Sequence, residues 1–114
     1  MKTIIAGSRA ITDYDVLIKA VKDCAFKITS VVSGCARGVD ALGEKFANDN
    51  SLPLEKYPAD WSTHGKRAGY IRNTEMADNA EALLAIWDGE SRGTKHMIDI
   101  AREKGLEVCV YMVE

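Results

Sequence analysis

Three short turns in this chain combine glycine with side chains that bind anions, and each turn follows a run of apolar residues. Glycine at such a turn lets the backbone approach a ligand closely and leaves amide hydrogens free. A helix that begins directly afterwards presents the positive end of its dipole. A single turn of this kind is most often only a strand end, but three of them, each with an arginine nearby, favour a pocket for a phosphate-bearing ligand. The candidate ligand-binding residues in these turns are Gly7, Ser8 and Arg9; Ser33, Gly34, Arg37, Gly38 and Asp40; and Gly89, Ser91, Gly93 and Thr94.

The polar residues of the first two turns suit particular parts of such a ligand. Ser8 can hydrogen-bond a phosphate or a ribose hydroxyl, and Arg9 can pair with a phosphate through two parallel hydrogen bonds. Ser33 and Arg37 flank the beginning of the next helix. Asp40 falls in the first turn of that helix, where it either interacts with the helix dipole or accepts hydrogen bonds from ribose hydroxyls, and the sequence leaves both roles open. Neither G-x-G-x-x-G nor G-K-[ST] is present, so neither a dinucleotide-binding motif nor a P-loop is supported.

A fourth group of residues is predicted to share one face of a helix. Gly69, Arg72, Asn73 and Met76 follow the spacing i, i+3, i+4, i+7, which places them on the same side. We interpret Arg72 and Asn73 as ligand-binding residues on this face. The alternative is that the arginine forms a structural bridge to a carboxylate.

The third turn and a loop tryptophan complete the candidate site. Ser91, the amide of Gly93 and Thr94 can form an anion nest at the beginning of the last helix. Trp61 lies on the loop after the third strand. It either stacks on a base or covers the core beneath the loop, and the two roles are equally consistent with its position.

The histidines and cysteines predict neither a metal centre nor a disulfide framework. Only His64 and His96 are present, without a carboxylate at ligand spacing, so no metal and no cofactor are expected. Cys24, Cys35 and Cys109 are odd in number, widely spaced and without a C-x-x-C pair. They are therefore predicted to be reduced thiols, with Cys24 and Cys109 in the core and Cys35 beside the pocket.

Length and composition predict one soluble globular domain, residues 1–114. The chain has 114 residues, of which 46% are hydrophobic and 28% charged. Its net charge of −2 disfavours sequence-independent binding to nucleic acid. No apolar run approaches the roughly 20 residues that span a bilayer. The sequence enters a strand-like run without a signal peptide, so no membrane association and a cytoplasmic location are expected.

Apolar runs alternate with helical periodicity along the whole chain. Strands are predicted at residues 2–6, 28–33, 53–57, 83–87 and 107–113, and helices after Thr12 and at 38–49, 67–80 and 92–104, with a loop at 58–66. Thr12 and Asp15 resemble a capping box at the first helix. Right-handed crossovers then give an α/β, Rossmann-like domain whose five-stranded parallel sheet has the order 3-2-1-4-5, with helices on both faces. In such sheets ligands bind beyond the carboxyl ends of the strands at the switch point, here between the first and fourth strands.

The ordered series of these motifs resembles the SLOG superfamily. The most similar branch is the small bacterial and phage group related to YspA and YpsA, a domain of unknown function. The resemblance covers nearly the whole chain and rests on Gly7-Ser8-Arg9, Ser33-Gly34-x-Ala36-x-Gly38-x-Asp40, Tyr57 to Trp61, Gly65 to Gly69, Arg72-Asn73-x-x-Met76 and Trp87 to Ile98. It implies a Rossmann-like fold and a pocket for a nucleotide or a nucleotide-derived ligand.

The chain is also similar to the LOG-type phosphoribohydrolases, which cleave the N-glycosidic bond of a nucleoside monophosphate. Their R-K-x-x-M helix resembles residues 72–76, and their P-G-G-x-G-T-x-x-E loop resembles residues 89–94. The glutamate that this loop requires is Met97 here. The resemblance implies Arg72 and Glu75 as candidate catalytic residues, and a replacement carboxylate could come from Glu75, Asp40 or Glu90.

Two functional interpretations and one assembly state follow from the sequence. The first is a protein that binds a nucleotide or nucleotide-derived small molecule, as a sensor or sequestering module. The second is a hydrolase of nucleotide N-glycosidic bonds, with single-stranded DNA binding a weaker third. Relatives in the superfamily often form homodimers, and the helix over residues 67–80 has a second small, partly apolar face, so a homodimer is expected.

Overall fold

A computed structural model describes all residues, Met1–Glu114. The strands are β1 (Lys2–Gly7), β2 (Ser30–Ser33), β3 (Leu54–Lys56), β4 (Ala82–Trp87) and β5 (Glu107–Met112). The helices are α1 (Tyr14–Cys24), α2 (Val39–Asp49), α3 (Trp61–His64), α4 (Ala68–Asp78) and α5 (Arg92–Glu103), with a 3₁₀ turn at Gly65–Arg67 between α3 and α4. None of the helices is long and apolar enough to cross a membrane.

The five strands form one parallel sheet in the order β3-β2-β1-β4-β5, which confirms the predicted topology. β1 lies at the centre and pairs with β2 on one side and with β4 on the other. In the second of these pairs Gly7 lies opposite Ile86, so both strands end at the same level. The switch point of the sheet is therefore a cleft at the carboxyl ends of β1 and β4.

The core lies on both faces of the sheet because the buried strands alternate side chains between them. On one face, Ile5, Val31, Leu84 and Ile86 pack with residues of α1 and α2. On the other face, Ile4, Val32, Leu83 and Ala85 pack with Met76 and Ala77 of α4 and with Met97, Ile98 and Ala101 of α5. The two helical layers hold α2 on one side of the cleft and α4 and α5 on the other.

One helix begins differently from the sequence prediction, and one short helix was not predicted. α1 is capped by Asp13 rather than Thr12, because the Asp13 carboxylate accepts a hydrogen bond from the amide of Asp15 at 2.9 Å. The segment predicted as a loop contains α3, whose N-cap Asp60 accepts from the amide of Thr63 at 3.1 Å. A helix of only four residues has too little periodicity to be recognised in a sequence.

The prediction of reduced, core thiols was wrong for Cys24 and Cys109. Cys24 and Cys109 form a disulfide with a Cα–Cα distance of 5.9 Å, across a sequence separation of 85 residues. Both are only partly buried, at the end of α1 and on the edge strand β5, rather than in the core. The topology brings these positions together, which sequence spacing does not reveal. Cys35 is a free, exposed thiol. Disulfides are typical of oxidising compartments, so the cytoplasmic location remains a prediction.

Candidate functional site

A cavity of about 470 Å³ lies at the carboxyl ends of β1 and β4. Its walls come from the turn after β1, the beginning of α2, the α3–α4 region and the beginning of α5. Both charged and aromatic side chains line it. The lining residues are Ala6, Gly7, Ser8, Arg9, Ala10, Ala36, Asp40, Trp61, Lys66, Gly69, Tyr70, Arg72, Asn73, Met76, Asp88, Ser91, Gly93, Thr94 and Met97.

Arg72 is the cation most firmly held in this cavity. Its Nη1 donates to the carbonyl of Gly34, and its Nε donates to Asn73 Oδ1 at 3.1 Å. These bonds use two of the five N–H groups of a guanidinium and leave the others for a ligand. Burial lowers the pKa of Arg72 from its ordinary value, with Asp40 opposing that shift. An arginine remains charged under such a shift, so the cavity contains a partly desolvated and oriented positive charge.

Gly34 is required by the side chains beside it. A Cβ at this position would lie 2.8 Å from Arg72 Nη1 and 2.8 Å from Asp40 Oδ2. Glycine therefore allows the guanidinium and the carboxylate to lie close to the turn after β2. The close approach at Gly34 is therefore to side chains of the protein itself and not to a ligand.

Asp40 is a buried carboxylate in the wall of the cavity. Its side chain is only 6% exposed, and Oδ2 accepts a hydrogen bond from the amide of Ala36 at 3.1 Å. Burial raises the pKa of Asp40 to about 6, opposed by the Ala36 amide and by the charges of Arg72 and Arg9. Asp40 can therefore act both as a hydrogen-bond acceptor and, near pH 6, as a proton carrier.

Asn73 of α4 connects this helix to the beginning of α5. Its Nδ2 donates to the carbonyl of Gly93 at 3.3 Å and lies 3.2 Å from His96 Nδ1, while Oδ1 accepts from Arg72. Burial lowers the pKa of His96, whose ring also packs against Tyr70 at a centroid distance of 4.4 Å. Through these contacts Asn73 links Arg72 to the beginning of α5, and its Oδ1 keeps a second lone pair.

The turn after β1 is held to the end of β4. The hydroxyl of Ser8 accepts from the amide of Asp88 at 3.2 Å, and the amide of Ser8 donates to the carbonyl of Ile86 at 3.1 Å. A Cβ at Gly7 would overlap that same Ile86 carbonyl. At Gly38, φ is +76° and the space is filled by the backbone of the turn after β1. These two glycines therefore serve the packing of the protein itself.

The beginning of α5 offers backbone donors to the cavity. Ser91 is the N-cap, and its hydroxyl accepts from the amide of Thr94 at 3.4 Å and from the hydroxyl of Thr94 at 2.9 Å. The amides of Arg92 and Gly93 occupy the first helical positions, where N–H groups have no intrahelical acceptor. Together with the helix dipole they favour an anion at this end of the cavity.

Two aromatic side chains and a lysine form the outer rim. Trp61 and Tyr70 are 53% and 47% exposed, and both line the cavity together with Lys66. Trp61 therefore does not cover the core, because α3 holds it at the mouth of the cavity. Its position agrees with the alternative role, contact with a flat ligand group.

The cavity brings together most, but not all, of the predicted site residues. Those that line it are Gly7, Ser8, Arg9, Asp40, Arg72, Asn73, Ser91, Gly93 and Thr94, whereas Gly34 and Arg37 line an adjoining cavity. Ser33, Gly38, Gly89 and Glu75 line neither. The hydroxyl of Ser33 donates to Glu44 at 2.7 Å and accepts from the amide of Cys35 at 3.1 Å, so it is engaged within the fold. Glu75 is an exposed residue of α4 that does not line the cavity.

Several lining residues were missed by sequence reasoning. Tyr70, Lys66 and Asp88 were not predicted as site residues, although Lys66 and Asp88 lie within the motifs Gly65 to Gly69 and Trp87 to Ile98. Asp88 Oδ1 accepts from the amides of Glu90 and Ser91, which lowers its pKa and orders the approach to α5. No group of three or more His, Cys, Asp or Glu side chains is placed to hold a metal ion.

The comparisons with known proteins agree with this architecture. The family model described as "YspA, cpYpsA-related SLOG family" (YAcAr) matches residues 1–64. The chain belongs to this family. The matched part of the YAcAr domain includes the turns after β1 and β2 and ends with α3.

A phage protein extends the similarity over the rest of the chain. The Gene 61 protein of Mycobacterium phage D29 is 35% identical over an alignment that covers 94% of this chain and 93% of that relative. Its name states no activity. YAcAr membership is consistent with nucleotide-related binding.

Proposed function

We propose that this protein binds a nucleotide or a nucleotide-derived small molecule at the carboxyl edge of its sheet, as a sensor or sequestering module. The observation that carries this proposal is the position of Arg72 in the cavity wall. Its guanidinium is partly desolvated, oriented by Gly34 and Asn73, and retains free N–H donors. A charge held in this way favours an anionic partner, since burial of a guanidinium is costly unless it is paired.

The remaining lining residues fit the other parts of a nucleotide. Arg9 and the free amides at the beginning of α5 supply further donors for phosphate. Trp61 and Tyr70 offer aromatic faces at the mouth, where a base can stack. Asp40 is the buried acceptor for a ribose hydroxyl. The cavity volume of about 470 Å³ is within the usual range for small-molecule sites.

A thermal-shift panel tests the proposal directly. Nucleoside monophosphates, cyclic nucleotides and ADP-ribose-type compounds are added to the wild type and to Arg72→Ala. A ligand at about 100 times its dissociation constant stabilises the folded state by about 2.7 kcal/mol, and the variant should lose most of that gain. Arg102→Ala, which removes an exposed arginine at the end of α5, is the control for charge alone. Absence of a shift with every phosphate-bearing compound at millimolar concentration would refute nucleotide binding.

Hydrolysis of an N-glycosidic bond is the second candidate, and Asp40 is the observation that favours it. Among the carboxylates considered from sequence, Asp40 lines the cavity, whereas Glu75 and Glu90 do not. Met97, for which the LOG-type resemblance would require a glutamate, lines the cavity and is buried. In this reaction water adds to the ribose C1′ while the C–N bond breaks. The base leaves with a proton, and a buried carboxylate can orient the water or stabilise the oxocarbenium-like transition state.

Chromatography of nucleoside monophosphates incubated with the protein distinguishes hydrolysis from binding. Free base and ribose phosphate should appear with the wild type and be lost with Asp40→Asn, while Arg102→Ala retains the wild-type rate. If base never exceeds the buffer control although the nucleotide binds, the hydrolase candidate is rejected and the binding function remains.

A homodimer through α4 remains a proposal about assembly. Ala68 and Met76 of this helix are buried within the chain, and Tyr70 is its large exposed apolar residue. A second copy packed against this face would adjoin the mouth of the cavity. Sedimentation at micromolar concentrations tests it, since a mass that stays at 12.5 kDa across the range excludes the dimer.

A further inference from the structure

A second cavity of about 410 Å³ adjoins the first and shares part of its wall. Arg9, Ala36, Trp61 and Arg72 line both cavities. The second cavity extends past Trp61 towards the turn after β2, where Arg37 completes its wall. A ligand held at the shared arginines can therefore extend in both directions.

The two cavities differ in charge. The first contains two carboxylates, Asp40 and Asp88, besides its basic residues. The second is lined by Arg9, Arg37 and Arg72 and by no acidic residue. Arg9 and Arg72 line both cavities, so these two cations border the same space. Asp40, in the wall of the first cavity, offsets part of the charge of Arg72. Three guanidinium groups around one space against one neighbouring carboxylate still favour an anion with several charges.

The chemistry of the other residues that line the second cavity indicates which kind of anion it would bind. Besides the arginines and Trp61, the second cavity is formed by Gly34, Cys35, Ala36, Pro58 and Ala59. Trp61 is the one aromatic side chain there, and it also borders the first cavity. The second cavity thus presents guanidinium donors without a second aromatic surface, which suits a phosphate group better than a second base.

We propose that the ligand is a nucleoside diphosphate or longer polyphosphate that occupies both cavities. The nucleoside lies in the first cavity, the phosphate chain passes between Arg9 and Arg72, and the terminal phosphate lies in the second cavity beside Arg37. This inference rests on the proposed function and adds the number of phosphates to it.

Calorimetric titration of matched nucleotide pairs tests the inference. The probes are AMP with ADP, GMP with GDP, CMP with CDP and UMP with UDP, added to the wild type and to Arg37→Ala. For at least one base we expect the diphosphate to bind about tenfold more tightly than the monophosphate, the effect of added charge-assisted hydrogen bonds. Arg37→Ala should remove most of that difference by weakening the diphosphate selectively. Arg102→Ala should retain the difference, because that exposed arginine lies outside both cavities.

The exposed thiol of Cys35 supplies a second readout within the same cavity. It is the free cysteine, since Cys24 and Cys109 are disulfide-bonded, and it lines the second cavity but not the first. The diphosphate should slow alkylation of Cys35 by iodoacetamide several-fold, whereas the monophosphate at equal saturation should not. This measurement reports where the terminal phosphate lies, independently of affinity.

The outcomes separate this inference from the function on which it rests. If monophosphates and diphosphates bind equally, or if the diphosphate leaves Cys35 as reactive as before, the second-cavity proposal is overturned while nucleotide binding stands. If pyrophosphate alone binds as tightly as the diphosphates, the nucleoside part is overturned. If no nucleotide binds at all, the proposed function fails together with the inference.

Discussion

The junction between β1 and β4 and the wall formed by α4 border the same cavity, but they are built in opposite ways. At the junction, Gly7 lies against the carbonyl of Ile86, and backbone hydrogen bonds connect the two strand ends. In the α4 wall, Arg72 brings a charged group partly out of water, and Asp40 of α2, which lies beside it, is buried as well. The first region contributes to the stability of the fold, whereas the second contains groups whose burial costs free energy.

This difference shows that glycines in similar turns serve different purposes. Gly7 has no room for a side chain, because neighbouring backbone fills the space. At Gly93, by contrast, a Cβ would have no atom within 4 Å, although this glycine also lines the cavity. A glycine needed for packing and one that leaves room for a ligand look alike in a sequence. Substitution with alanine distinguishes them.

The largest effect is expected for Gly7→Ala. The new Cβ would overlap the Ile86 carbonyl and approach Val39 Cγ2 to 2.8 Å, so the centre of the sheet must shift. We expect a loss of about 3 kcal/mol or more in the free energy of unfolding, because overpacking against backbone cannot relax easily. Urea unfolding measures it. A change below about 1 kcal/mol would show that the junction is not the rigid part of the fold.

Asp40→Asn should reveal the cost of the buried carboxylate. The pKa of Asp40 is raised from 3.8 to about 6, so the folded protein binds this proton more tightly than the unfolded chain does. Proton binding at Asp40 therefore stabilises the folded state most below pH 3.8. This stabilisation is lost as the pH rises through the folded-state pKa of about 6. Above that pH the variant should be more stable than the wild type by up to about 3 kcal/mol, and the difference should vanish in acid. Parallel unfolding curves at about pH 4 and about pH 8, on either side of the shifted pKa, test this, and a difference that does not change with pH would contradict it.

Gly34→Ala should affect the ligand more than the fold. Its Cβ would displace the ends of two side chains rather than backbone, so we expect a stability loss of only about 1 kcal/mol. Nucleotide affinity should fall about tenfold, because Arg72 and Asp40 move from their positions. Calorimetry with the nucleotide that stabilises the wild type measures the affinity. Unchanged affinity in a folded variant would indicate that the Arg72–Gly34 contact does not orient the ligand.

The smallest stability effect is expected for Gly93→Ala. The position lies in the first turn of α5 with open space around it, so alanine should change the free energy of unfolding by between about 0 and +1 kcal/mol. A decrease in nucleotide affinity with unchanged or higher melting temperature would show that this glycine leaves room for the ligand. A clear loss of stability would instead make it a packing residue like Gly7.

The fold was largely predictable because its signals are local. Apolar runs and helical spacing identify the strands and the main helices, and the crossover rule restricts the possible topologies to a few, among them the observed order β3-β2-β1-β4-β5. Thr94, Met97, Ile98 and Ala101, which follow the spacing i, i+3, i+4, i+7, form the buried face of α5. The disulfide between Cys24 and Cys109 was missed because its partners meet only after the edge strand has joined the sheet.

The cavity lies at the switch point that the sequence predicts, but the hydrogen bonds of its side chains could not be predicted. Arg72 and Asn73 were recognised from their shared helix face, but their bonds to Gly34 and Gly93 join segments far apart in the chain. Ser33 was expected at the ligand, whereas the fold turns its hydroxyl towards Glu44. Long-range packing decides which polar side chains remain available, and a sequence pattern does not contain that information.

Nuclear magnetic resonance of the ¹⁵N-labelled protein, titrated with the nucleotide that most stabilises it, tests nucleotide binding at the switch-point cavity most directly. We predict that the largest amide shifts cluster at Ser8 and Arg9, at Ala36, at Arg72 and at Gly93, which surround that cavity. The same titration of Arg72→Ala should require about tenfold more nucleotide for equal shifts. Shifts that cluster on α1 or on the edge strand β5 instead, or equal affinity in the variant, would contradict binding at this cavity.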